Sequence, residues 1–132
     1  MSDTRVLRLV GVYDADGGVI GEARYVVAHL LGRLECSLCD ITHGWVRRKP
    51  AFDALRDRLG VPFELVHRNE RRADVAAATG DALPCVVGVI EAGLVIVLAP
   101  GELQACGGSV DRFEHALRSA LTARGMTLTE PG

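Results

Sequence analysis

Leu83-Pro84-Cys85-Val86-Val87-Gly88-Val89-Ile90-Glu91-Ala92-Gly93-Leu94-Val95-Ile96-Val97-Leu98 is the stretch whose reading decides the fold. Taken whole, the apolar run extends to Pro100 and invites comparison with a membrane span. A span needs roughly 20 predominantly apolar residues without such breaks. Here Pro84, Gly88, Glu91 and Gly93 interrupt the run. It therefore divides at Glu91-Ala92-Gly93 into two valine-rich strands, most simply an antiparallel hairpin. No membrane association is expected. Strands this apolar along their whole length need cover on both faces of their sheet.

On the C-terminal side, Ala99 to Gly108 reads as a turn-rich link containing Cys106. Ser109 can cap a final helix in which Val110, Phe113, Leu117 and Leu121 form one stripe, and the tail is expected to be loose from Thr127. On the N-terminal side, Asn69 to Ala78 predicts a short helix closed by Thr79-Gly80-Asp81. Pro62 to His67 alternates like a strand. Before it, Pro50 suits the first turn of a helix whose Phe52, Leu55 and Leu59 face inward until Gly60 ends it. Val6 to Tyr13 reads as a buried strand, followed by a turn at Asp14-Ala15-Asp16-Gly17-Gly18. Ala23, Val26, Val27, Leu30 and Leu31 fall at helical spacing, giving a helix over 22–31. The alternative is a hairpin running from Leu7 to Val27. The fold class is α/β: a small mixed sheet covered by helices, one domain over 1–132 with its core at about 6–124.

Composition agrees with a folded domain, since 132 residues with 48 % hydrophobic and 24 % charged can bury a core without staples. A net charge of -2 argues against a dedicated nucleic-acid binder. Met1-Ser2-Asp3-Thr4 lacks the basic and apolar regions of a secretory signal, so a cytoplasmic setting is expected. There, permanent disulfides are disfavoured, and a close cysteine pair more often serves redox chemistry or a metal.

Such a pair occurs in Cys36-Ser37-Leu38-Cys39-Asp40-Ile41-Thr42-His43-Gly44. Redox exchange needs an exposed, partly ionised attacking sulfur and a second thiol near enough to resolve the mixed disulfide. Two intervening residues at a helix start supply the closeness. His43, four residues after Cys39, could stabilise an anion or relay a proton. Glu35 and Asp40 act against the thiolate. Cys36, Cys39 and His43 equally provide three ligands for zinc, with the fourth position left to water or drawn from His29, His67, Cys85 or Cys106. Cys85, inside an apolar strand, also reads as a buried small hydrophobe.

The strand and helix order, the CxxC at Cys36 and Cys39, Leu83-Pro84 before a strand, the hairpin about Gly93 and the final amphipathic helix together resemble thioredoxin-like proteins. The resemblance implies a CxxC that opens a helix after a strand, with a cis proline facing it. Cys36 would then match the nucleophile, Cys39 the resolving thiol and Pro84 the cis proline. Residues 14–35 would form an insertion after the first strand, and the partner would be a protein or small-molecule thiol or disulfide.

Three function classes stay open on the residues alone. The first is thiol–disulfide exchange at Cys36 and Cys39. The second is a non-enzymatic zinc-binding domain using Cys36, Cys39 and His43, with Cys85 as a further ligand. The third is a protein-interaction domain whose cysteines are unused. Asp14-Ala15-Asp16-Gly17 suggests part of a calcium loop, but Tyr25 stands where the twelfth-position glutamate is required, so the turn reading holds. Arg47-Arg48-Lys49 and Arg68 with Arg71-Arg72 read as solvated basic faces.

Overall fold

Thr4 to Val12 form β1, the central strand in a computed structural model that describes residues 4–14, 37–42 and 50–128. The valines and leucines of this segment suit a pleated surface packed on both sides. Strand β2 (Phe63–Val66) pairs in parallel with Leu9 to Val12. On the opposite edge β3 (Cys85–Ile90) runs antiparallel to Val6 through Val12, and β4 (Gly93–Leu98) completes the expected hairpin. The order is β2-β1-β3-β4, with β5 (Met126–Thr127) lying parallel to Thr4 and Arg5. The result is a mixed α/β fold built on a five-stranded open mixed sheet. No described helix is long and apolar enough to cross a membrane.

Two bulges decide which side chains meet. Strict alternation would send Val6 to the face occupied by Val10 and Val12. Val6 pairs with Ile90 but Arg8 with Val89, so β1 carries one extra residue there. That bulge turns Val6 onto the face of Leu9 and Tyr13, and it leaves Leu7 47 % exposed. In β4 the extra residue is Val97, because Val86 pairs with Leu98 while Val87 pairs with Ile96. Val97 and Leu98 consequently share one core with Val86, and Ile96 faces the other side.

Helices α1 (Ser37–Thr42), α2 (Pro50–Leu59), α4 (Pro100–Gln104) and α5 (Val110–Ala123) contribute buried side chains to the first face. At its centre Phe52, Phe63 and Phe113 pack with ring centroids 5.6, 6.1 and 6.2 Å apart. The second face joins Val10, Val12, Cys85 and Val87 to Leu83 and to Val75 of α3 (Ala73–Thr79). Helix α2 starts and stops where the sequence places it, with Phe52, Leu55 and Leu59 buried and Gly60 at φ 74°. Helix α5 carries the expected stripe, and Ser109 Oγ accepts the Arg112 N–H at 3.2 Å. Glu114 of α5 joins Arg58 of α2 at 2.7 Å, which ties the two helices at the surface.

Three expectations need correction. The link at 99–108 contains α4, because Pro100 opens a helical turn and Glu102 accepts the Ala99 N–H at 3.0 Å. Thr127, the expected start of the loose tail, lies in a strand: Met126 is buried, and the two residues pair with Thr4 and Arg5. The helix read over 69–78 is divided. Arg68–Glu70 form a 3-10 turn, Arg71 and Arg72 are extended, and α3 begins at Ala73. Arg71 fixes this break by donating to the Arg68 and Gly80 carbonyls and to Thr79 Oγ1. The helix expected over 22–31 lies outside the described residues.

Candidate functional site

Register brings three strand ends to one place. Val12 is opposite both Val66 and Cys85, so Tyr13, His67 and Pro84 each stand one residue beyond that shared level. The Tyr13 N–H donates to the Val66 carbonyl at 2.9 Å, which continues the ladder to the rim. The Leu83–Pro84 peptide is cis, and Pro84 is buried at the entrance to β3. Pro84 stands just ahead of the strand, where a missing N–H is tolerated.

Helix α1 reaches this rim through its inner stripe. Leu38 and Ile41 are fully buried in the first-face core. Gly11 makes the close approach possible. A Cβ there would stand 3.3 Å from Leu38 Cδ2, 3.1 Å from Phe63 Cε1 and 2.9 Å from Leu65 Cδ2. At the helix's last residue the buried Thr42 hydroxyl lies 2.9 Å from the Tyr13 hydroxyl. An alcohol pair this sheltered from water exchanges poorly with solvent, so the bond resists separation of helix from strand.

Around Tyr13 the rim becomes polar. The His67 ring packs on the Tyr13 ring at a centroid distance of 5.2 Å and a tilt of 47°. His67 Nδ1–H donates to Glu70 Oε1 at 2.7 Å, and the His67 backbone N–H donates to the same oxygen at 2.8 Å. An ionised carboxylate can only accept, which assigns the ring proton to Nδ1. These backbone and side-chain bonds hold the Glu70 carboxyl below its ordinary pKa. Arg68 lies 3.6 Å from Asp14 across the edge.

Of the sequence-derived candidates, Pro84 and Cys85 lie at this end of β3, and Cys39 is carried by α1. Cys36, His43, His29 and the side chain of Cys39 lie outside the described residues. Cys85 is fully buried among Val10, Val12, Val75, Leu83 and Val87, and burial pushes its thiol up to about 11. Such an environment favours the neutral thiol. Cys106 is buried on the opposite face, where its S–H donates to the Glu102 carbonyl at 3.4 Å and desolvation again raises its pKa. Cys85 and Cys106 are therefore separated by the sheet. Among the described residues no group of three or more His, Cys, Asp or Glu side chains is placed to hold a metal.

Sequence reading missed Tyr13, Thr42 and the His67–Glu70 pair as members of one site. The available signals were an aromatic at a strand end and a glutamate three residues after a histidine at the next strand's end. A concavity of about 410 Å³ lies between α4 and α5, lined by Glu102, Ala105, Cys106, Asp111, Arg112, His115 and Ala116. The surface it exposes is almost wholly apolar. No family model, curated protein or solved structure matches the chain.

Proposed function

We propose that this chain is a thiol–disulfide redox protein of thioredoxin-like architecture, with Cys36 as nucleophile and Cys39 as resolving thiol. The observation that carries the reading is the seat of α1. The helix begins one residue after Cys36 and includes Cys39. Its last residue, Thr42, is bonded to Tyr13 at the end of β1, one residue past the level that Val12 shares with Cys85, the residue after Pro84. The order of strand, CxxC-bearing helix, second helix, strand, helix, hairpin, two further helices and a short last strand is compatible with that architecture carrying additions. A reducing, cytoplasmic setting belongs to this reading, because the dithiol must be regenerated there.

In the exchange, the Cys36 thiolate attacks one sulfur of a substrate disulfide. A Cys36–substrate bond forms, and the other substrate sulfur leaves as a thiolate that takes a proton. Cys39, deprotonated, then attacks Cys36 Sγ and releases the second substrate thiol. Two electrons pass to the substrate, which is reduced, while Cys36 and Cys39 are oxidised to a disulfide. A second dithiol of higher reducing power restores the pair. Pro84 would shape the surface against which the substrate disulfide lies.

The test is thiol counting and intact mass on chelated, reduced protein before and after a small-molecule disulfide. The expected result is reversible loss of two thiols, blocked by Cys36→Ser, with a trapped mixed disulfide in Cys39→Ser. Stoichiometric zinc after reducing purification, lost on replacement of His43, would overturn this in favour of a Cys36, Cys39 and His43 metal site. Absence of both metal and couple would leave an interaction domain with unused cysteines.

A further inference from the structure

We infer that Tyr13 and Thr42 are positioning residues for thiol exchange, forming a buried hydroxyl clamp that fixes the CxxC-bearing helix α1 to the end of the central strand. The inference rests on the redox reading above. Neither hydroxyl belongs to the CxxC, and the clamp acts through the helix that carries Cys39. Three observations on different elements converge on it.

The first is the bond itself. Tyr13 is 3 % exposed and Thr42 is fully buried, yet their hydroxyls meet at 2.9 Å. Among the described residues Thr42 and Thr79 are the buried polar side chains outside the apolar core. Thr79 bonds the Val75 carbonyl within its own helix and receives Arg71. Thr42 reaches across to a residue 29 positions away in sequence. A polar pair placed in a core contributes direction rather than mere cohesion, since two methyl groups would fill the same space without fixing the approach.

The second is how Tyr13 is held. Its backbone N–H is tied to Val66, and its ring is backed by His67. His67 is in turn held by Glu70 through both its backbone and its ring. The phenol is thus aimed by β1 and β2 together. The third is the Gly11 gap, which lets Leu38 settle against the sheet and leaves the α1 pose to be set from its other end. A six-residue helix has little cohesion of its own, so its orientation depends on such tertiary ties. Resolution of a mixed disulfide requires Cys39 to reach Cys36 in a narrow geometry, and misplacement of the helix slows that step.

The experiment compares wild type with Tyr13→Phe, Thr42→Val, the double variant and Thr42→Ser. Two readouts are taken: the rate of exchange with a small-molecule disulfide, and amide hydrogen exchange over α1 relative to α2 and α5. Tyr13→Phe and Thr42→Val should each slow exchange by about tenfold and raise α1 amide exchange by a similar factor, leaving α2 and α5 unchanged. The double variant should be no slower than either single variant, and Thr42→Ser, which keeps the hydroxyl, should retain the wild-type rate. Should Tyr13→Phe fail to fold, the Thr42→Val and Thr42→Ser pair decides. Wild type that exchanges disulfides alongside variants that match it in rate would overturn the clamp while leaving the redox reading standing. Wild type that exchanges none would overturn the redox reading and the clamp's role with it.

Discussion

The two faces of the sheet differ in how they are built. On the first, α1, α2, α4 and α5 pack around Phe52, Phe63 and Phe113, and most of the large buried side chains lie here. On the second, the described cover is α3, and the cluster consists of valines with Leu83 and Cys85. Val66, Val89, Leu94 and Ile96 are only partly buried at its margin. The contrast teaches that the thick face holds the fold together and also seats α1. The thin face supplies the apolar setting that buries Cys85 and pushes its thiol pKa up. The larger core and α1 share one side of the sheet, so damage to that core should reach the helix.

The sharpest way to break this comparison is truncation on each face. Phe113→Ala removes a fully buried ring and is expected to cost about 3–5 kcal/mol in denaturant unfolding, whereas Val75→Ala should cost about 2 kcal/mol. Equal losses would mean that the faces contribute alike. Next comes Gly11→Ala. Its Cβ would crowd Leu65, Phe63 and Leu38, costing about 1–3 kcal/mol and displacing α1, as seen by proteolysis or amide exchange over 37–42. An unperturbed α1 would show that its seat does not depend on this gap.

The thin face has a pH signature of its own. Cys85 has a folded pKa near 11, above the ordinary thiol value. Its contribution to stability is therefore complete below the ordinary pKa and falls away as pH rises from there through about 11. Cys85→Ala should flatten that alkaline decline, and native protein should resist alkylation at Cys85 until it unfolds. The smallest effect is expected at the rim. Glu70 has a depressed pKa, so its contribution is present above the ordinary carboxylate range and is lost as pH falls through the depressed value. Its carboxylate is solvent-screened, so Glu70→Gln should cost well under about 1 kcal/mol at neutral pH, and the acid limb of stability should shrink.

Much of this arrangement was legible in local chemistry. Proline at 50 and glycine at 60 bracket α2, Ser109 caps α5, and Glu91-Ala92-Gly93 folds the hairpin, because each acts on its own backbone within a few residues. The bulges at Leu7 and Val97 were not legible, since no turn residue marks them and only the partner strand's register reveals the extra residue. The short α4 was hidden because Gly101 and the residues at 105–108 look like loop, while its stability comes from Leu103 and Cys106 entering the core. Strand β5 was hidden for the same reason: two residues carry no periodicity until β1 lies beside them.

By itself the sequence determined the α/β class, the inward faces of α2 and α5, the hairpin, and Cys36 and Cys39 as a pair with two residues between them. Spacing along a chain fixes which groups are neighbours in an element, and those features need nothing more. Only the tertiary structure decided that Tyr13, His67 and Pro84 share one rim, that Thr42 bonds Tyr13, and that Cys85 and Cys106 are parted by the sheet. These juxtapositions join residues far apart in the chain, and strand register together with core packing, which no local pattern encodes, sets them.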